Sequence, residues 1–145
     1  MNFKYFTLAI LLNFLCLNAF TQDISDLGRK SFSDIKAMYN IEPCEVTGTK
    51  VLSYCVEGGS RINYMFENNK LNGIMFLTSY LTRSQAERGL ENEVSVFSDK
   101  NKIKPYFSNG SAYFYMENSP FNVSFSVIEF QGTPYLVYYT FLAKN

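Results

Sequence analysis

Residues 51–78 read VLSYCVEGGSRINYMFENNKLNGIMFLT, and this stretch decides the fold. It consists of three segments rich in β-branched and aromatic residues, separated by the turn sequences EGGS and ENNK. In the middle segment Ile62, Tyr64 and Phe66 alternate with other residues, as expected of a strand with one buried face. We therefore predict an antiparallel meander whose strands run from Val51 to Val56, from Arg61 to Phe66 and from Leu71 to Thr78.

A first helix is predicted ahead of this meander, from Phe32 to Tyr39. Ser31 is placed to cap its first turn, with Asp34 three residues further on. Its apolar residues recur at helical spacing and form one stripe. Pro43 prevents the helix from continuing.

A second helix is predicted after the meander, beginning at a T-x-x-Q capping box formed by Thr82 and Gln85. Leu81 and Ala86 stand where a hydrophobic staple would form. Gly89 is expected to weaken the helix by about 1 kcal/mol relative to alanine. The apolar stripe consists of Ala86, Leu90, Val94 and Phe97, and the wet side of Arg83, Glu87, Arg88, Glu91 and Glu93.

The last third of the chain is rich in strand signals. Asn109-Gly110 predicts a hairpin with a type I′ turn, and Asn118-Ser119-Pro120 predicts another turn. Apolar and polar residues alternate from Phe121 to Val127, which indicates a strand with one wet face. Tyr135 to Leu142 is apolar on both faces, which favours a central strand or one covered on both sides.

The order of these elements predicts an α+β fold. We expect one antiparallel sheet of about six to seven strands in meanders, with two helices packed on one face. The 145 residues correspond to a signal peptide at 1–22 and a single α+β domain at 23–145.

The N-terminus has the layout of an export signal. Lys4 provides a positive charge, an apolar run extends from Phe6 to Leu17, and small or polar residues follow. The run of about 12 residues is shorter than the roughly 20 that a membrane-spanning helix needs. We expect cleavage near Ala19 to Gln22. An uncleaved anchor or a buried first helix is the alternative, and bulky Leu15 argues against lipidation of Cys16.

Removing the leader leaves two cysteines, Cys44 and Cys55. In an exported protein these most simply form a disulfide, whose closed loop of about 12 residues is worth on the order of 3 kcal/mol. A reactive thiol pair or a metal site is the alternative. Two cysteines without histidine make a poor zinc site, because zinc normally takes four ligands.

The composition excludes several chemistries. The chain has no histidine, so no Ser-His-Asp or Cys-His catalytic arrangement is possible. Gly58-Gly59-Ser60 lacks the second flanking glycine of a nucleophile elbow, because Ile62 stands in its place. There is no phosphate-binding glycine loop, Rossmann fingerprint or Ca²⁺ loop, so we predict no catalytic residues, no metal and no cofactor. The net charge of zero gives no indication of binding to nucleic acid.

Paired carboxylates are the remaining route to hydrolysis without histidine. Glu42 and Glu45 flank Cys44 in a predicted loop, where we expect them to be solvated. Glu91 and Glu93 are two residues apart and so point to different sides of a helix. Glu129 is expected to be a rim charge at the end of a strand.

The tyrosine content is the feature of this sequence that most indicates a binding function. There are 11 Tyr and 14 Phe residues but no Trp. Tyr135 and Tyr139 share one parity of the last strand and Tyr138 takes the other, while Tyr113 and Tyr115 share one face of theirs. These five residues form a predicted binding surface, because tyrosine combines a large apolar area with a polar tip. The alternative is that they are sheet-covering core residues.

Residues 31–76 combine a helix, an Asn40-Ile41-Glu42-Pro43 exit, a cysteine-containing strand, a hairpin and a Tyr64-Met65-Phe66 strand. In this order the segment resembles the small periplasmic modules of the β-lactamase-inhibitor-protein and BamE-like type. The resemblance implies helices packed on an antiparallel sheet and a function in binding other proteins. It transfers no functional residue.

The sequence thus favours a secreted or periplasmic, non-enzymatic domain that binds another extracytoplasmic protein or a peptide through its sheet face or an exposed edge strand. We expect no nucleic-acid partner and no stable membrane insertion after signal cleavage. Two alternatives stay open: a carboxylate- or Tyr-based hydrolase acting on glycans, and a small-molecule or lipid carrier with an apolar cavity.

Overall fold

The structure is a computed structural model that describes residues 30–55, 58–117 and 121–142, without the side chain of Leu142. The predicted signal peptide at 1–22 and the predicted turn at 118–120 lie outside the described residues.

Two helices and eight strands make up the described fold. The helices are α1, Phe32–Ala37, and α2, Arg83–Asn101. The strands are β1 Glu45–Thr47, β2 Val51–Cys55, β3 Arg61–Glu67, β4 Lys70–Ser79, β5 Tyr106–Ser108, β6 Ser111–Phe114, β7 Phe121–Phe130 and β8 Thr133–Leu142.

All eight strands form one antiparallel sheet in the order β1-β2-β3-β4-β8-β7-β6-β5. Each half of the described chain is a helix followed by a four-stranded meander, and the two halves join where β4 pairs with β8. The apolar strand β8 therefore lies in the middle of the sheet, as its sequence predicts.

Both helices lie on the same face of this sheet. The register places Tyr64 opposite Ile74, Ile74 opposite Thr140, and Thr140 opposite Val123 in one row. Tyr64 and Ile74 belong to the cluster that Ile35 of α1 packs into, and Val123 belongs to the cluster of α2. Since neighbouring residues of a row share a face, the prediction of two helices on one face is confirmed.

The predicted number of six to seven strands is wrong, because the described sheet has eight. The missed strand is β1, which has only three residues, all of them exposed. Backbone pairing with β2 holds this edge, and the Cys44 N–H donates to the Ser53 carbonyl at 2.9 Å just before it. Three exposed residues leave no pattern from which a strand could be predicted.

The turn and cap predictions are mostly confirmed. Ser31 and Asp34 form the capping box of α1. At the start of α2 the Thr82 side chain accepts from the Gln85 N–H, which is one of the two hydrogen bonds of the predicted capping box. Asn109 and the glycine after it both have positive φ, as a type I′ turn requires. The predicted staple is wrong: Ala86 is buried but Leu81 is 92% exposed.

Candidate functional site

The face of the sheet opposite the helices, here called the open face, is covered by neither described helix. Side chains alternate along each strand, so the residues between the core positions point to this face. On the two central strands, β4 and β8, these residues are apolar or aromatic apart from glycine and the terminal positions, and Met65 of β3 lies beside them. They form what we call the apolar strip: Met65, Met75, Leu77, Val137, Tyr139 and Phe141.

The register of the strands brings the apolar strip together. Met75 lies directly opposite Tyr139, and Leu77 lies opposite Val137. The rings of Tyr139 and Phe141 are neighbours on β8, with centroids 5.2 Å apart. Most of the strip is partly exposed, although Val137 is buried. A continuous apolar surface therefore runs across the centre of the open face.

The structure separates the five predicted tyrosines. Tyr113, Tyr135 and Tyr139 lie on the open face and are partly exposed, and Tyr115 is exposed just beyond the end of β6. Tyr138 lies on the helix face instead. It is the neighbour of other rings there, with centroid distances of 4.9 Å to Phe125, 5.8 Å to Phe76 and 6.4 Å to Phe97.

Tyr106 is a residue of the open face that the sequence analysis did not single out. It lies opposite Tyr113 at the β5 edge of the sheet and is 60% exposed. From Tyr113 the same cross-strand row continues through Ser124 to Tyr139. Three tyrosines thus lie on one line that leads from the sheet edge into the apolar strip.

Polar side chains border the strip on both sides. Ser124 and Ser126 lie on the β7 side, and Ser53 and Asn63 lie on the β2–β3 side. The side-chain oxygen of Asn63 is buried and accepts no hydrogen bond from the described part of the chain. A buried acceptor left without a donor costs about 1–3 kcal/mol.

Charged residues of the open face occupy one side only. The strands β5 to β8 place no charged residue on it within the described ranges. The charged positions lie on β1 and β3 and at the β3–β4 turn, and they are Glu45, Arg61, Glu67 and Lys70. Arg61 forms an ion pair with Glu45, with 3.3 Å between guanidinium nitrogen and carboxylate oxygen. The apolar strip itself is therefore uncharged.

The carboxylates considered as candidates for hydrolysis lie in different parts of the structure. Glu42 lies 4.0 Å from the Lys36 ammonium, and Glu45 is paired with Arg61. Glu91 is exposed, as predicted, but Glu93 is partly buried, and burial raises the pKa of its carboxyl. Glu129 is exposed at the end of β7. Among the described residues no three His, Cys, Asp or Glu side chains come together as a metal site would require.

Cys44 and Cys55 form the predicted disulfide, with their Cα atoms 5.8 Å apart. The bond joins the residue before β1 to the last residue of β2. Both cysteines are exposed, so the bond fastens the edge of the sheet and not its core. A disulfide of this kind fits an extracytoplasmic location. In the described ranges no helix has the length and apolar character to cross a membrane.

Comparison with protein-family models, with curated proteins and with solved structures finds no match to this chain. The resemblance to β-lactamase-inhibitor-protein and BamE-like modules stays a prediction.

Of the apolar strip, the sequence predicted only Tyr139 and missed the other five residues. The available signal was parity: Met65 and Met75 alternate with Tyr64 and Ile74, which lie in the core. Apolar residues on both parities of neighbouring central strands indicate a sheet with two apolar faces. Only one of these faces is covered by the described helices.

Proposed function

We propose that this chain is an exported, non-enzymatic binding domain that holds a protein partner on the open face of its sheet. The observation that carries the proposal is the apolar strip at the centre of that face. Both described helices lie on the opposite face, so neither of them covers this strip.

The arrangement of the open face agrees with known features of protein interfaces. Interfaces have an apolar centre from which charges are depleted, a polar rim, and an enrichment of tyrosine, phenylalanine and methionine. Here Met65, Met75, Tyr139 and Phe141 lie centrally, and serine and asparagine lie around them. Methionine also adapts its shape to a partner, because its side chain is unbranched and polarisable.

The edges of the sheet are less suited to capture of a peptide strand. The two edge strands, β1 and β5, have only three residues each. Short edge strands limit the number of main-chain hydrogen bonds that an added strand could form. Of the two binding modes considered from the sequence, the sheet face is therefore favoured over the edge.

Export is supported by two features of the chain. The sequence begins with the layout of a signal peptide, and the disulfide between Cys44 and Cys55 needs an oxidising compartment to persist. We place the domain in the periplasm or outside the cell.

Site-specific photo-crosslinking in the producing cells tests this proposal. A photoreactive amino acid would replace Met75 in the apolar strip, and in a matched control it would replace Val96, which is 50% exposed on α2. We expect a discrete covalent adduct with a protein from position 75 and not from position 96. Adducts of equal yield from both positions, or none from position 75, would reject the open face as the binding surface.

A further inference from the structure

We infer that the protein held on the open face is a second copy of this chain, so that two sheets pack face to face. This inference rests on the proposed function and names its partner. The resulting dimer would have four layers, with helices outside and the two sheets inside, about 10 Å apart as in other sheet-on-sheet packings.

The centre of the open face can pack against the same region of a second copy without bringing like charges together. In a two-fold symmetric dimer the same patch is used on both copies, so residues near the axis contact their own counterparts. A charged residue there would meet an identical charge. The apolar strip has none, since Met75, Leu77, Val137 and Tyr139 occupy its middle.

The charged border of the face also presents no net charge to a second copy. The charges on the β1–β3 side are of both signs, with Arg61 and Lys70 beside Glu45 and Glu67. These four charges sum to zero, and Arg61 already pairs with Glu45, so this border carries no net charge that would repel an identical surface. The tyrosine hydroxyls of the face, such as those of Tyr106 and Tyr113, both donate and accept hydrogen bonds, so they suit an identical surface.

The face is large enough for an interface of standard size when most of the sheet takes part. At about 3.3 Å per residue and about 4.8 Å between strands, the four longest strands span roughly 600 Å², and the whole sheet roughly 800 Å². These strands are β3, with 7 residues, and β4, β7 and β8, with 10 residues each. A standard interface buries about 800 Å² on each partner.

Sedimentation velocity of the mature protein, from nanomolar to high micromolar concentration, tests the inference. We expect the mass of a dimer, dissociating on dilution. Met75→Lys should weaken dimerisation at least about a hundredfold, because each interface would then bury two like charges. Val96→Lys, which adds the same charge on α2, should leave it unchanged. A wild-type protein that stays monomeric throughout would overturn the inference.

A second variant distinguishes loss of dimerisation from loss of folding. Ser126→Lys adds a charge beside Val137 without removing an apolar side chain, and it should also give a monomer with an unchanged circular dichroism spectrum. If Ser126→Lys and Met75→Lys both fold and stay dimeric, the dimer does not use this face and the inference is wrong.

The mass of the adduct formed from position 75 distinguishes binding of any protein on the open face from binding of a second copy of this chain. An adduct of twice the chain mass, containing only peptides of this chain, supports the second copy. An adduct with a different protein overturns the second copy while upholding binding on the open face. No adduct at all rejects both.

Discussion

The ring of Tyr139 lies against Gly73 on the open face. A Cβ atom built on Gly73 would be 2.9 Å from Cε2 and 3.1 Å from the hydroxyl oxygen of Tyr139. The same atom would be 3.0 Å from the backbone oxygen of Thr140. The glycine thus provides the space in which the tyrosine ring packs down onto the sheet, a known way in which aromatic rings cover strand glycines.

Gly73→Ala should destabilise the fold by about 1–3 kcal/mol, the usual cost of overpacking. The added methyl group has to displace Tyr139, and the Thr140 carbonyl limits how far the strand can adjust. Urea unfolding would measure the loss. Asn72→Ala, at the neighbouring position, is the control and should change stability much less. Equal stability of Gly73→Ala and wild type would show that the ring does not occupy this position.

Gly89→Ala should fail to give the gain in stability that helix propensity predicts. In an exposed helix this change gains about 1 kcal/mol. Here the new Cβ would be 2.6 Å from the Tyr80 hydroxyl oxygen and 3.5 Å from Leu136, so the contact offsets the gain. We expect a net loss of about 1 kcal/mol, by analogy with other overpacked sites.

The matched control for this prediction is Asn92→Ala, an exposed position of the same helix, which should stabilise the protein by several tenths of a kcal/mol. Adding Tyr80→Phe to Gly89→Ala should recover part of the loss. Thermal unfolding of the four proteins is sufficient. A Gly89→Ala protein that gains as much as the control would contradict the packing of Tyr80 on α2.

Removing the disulfide should cost about 3 kcal/mol, from the loop-closure entropy of the unfolded chain. The bond closes a short loop with a sequence separation of 11 residues. Replacing Cys44 and Cys55 together with serine and adding reductant to the wild type should give the same shift in the urea midpoint. If reductant lowers the urea midpoint of the wild type but the double serine variant has the wild-type midpoint, the stabilisation does not come from this disulfide.

Glu93 should make stability depend on pH. Burial raises the pKa of this carboxyl in the folded protein, and burial together with the charge of Glu93 raises the pKa of the Tyr80 hydroxyl. A carboxyl whose pKa is higher in the folded protein than in the unfolded chain stabilises the fold when it is protonated. Its contribution to the free energy of unfolding is therefore fully present below the unfolded pKa and is lost as pH rises through the folded pKa.

The difference in melting temperature between wild type and Glu93→Gln isolates this effect. The variant should gain relative to wild type as pH rises from acidic to neutral, and the difference should then level off. Asp34 has the opposite sign, because hydrogen bonds from Ser31 lower its pKa, so stability from this group is lost as pH falls. A difference that is constant over the whole range would exclude the burial of Glu93.

The sequence predicted most of the elements of this fold because their signals are local. Alternation identified β3 and β7, capping residues identified both helices, and Asn109-Gly110 identified a hairpin. Strand β1 was missed because three exposed residues have no pattern. The order of strands in the sheet was not predicted, since the pairing of β4 with β8 joins residues more than 50 positions apart in the chain.

The candidate site was predicted in part. Parity alone separated Tyr138 from Tyr135 and Tyr139, and the structure places the three accordingly. Parity does not say which face the helices cover, so the sequence could not tell whether Tyr138 or Tyr139 would be left open. The methionines were not predicted, because an apolar residue in a strand fits a buried face as well as an exposed one.

Hydroxyl-radical footprinting in intact producing cells and in dilute purified protein tests the central claim most directly. If the open face is occupied in the cell, Met75 and Tyr139 should be several-fold less reactive there than in the dilute protein. Met38, which is 54% exposed on the helix side of the chain, should react equally in both. Met75 and Tyr139 as reactive in the cell as in dilute solution would contradict the account.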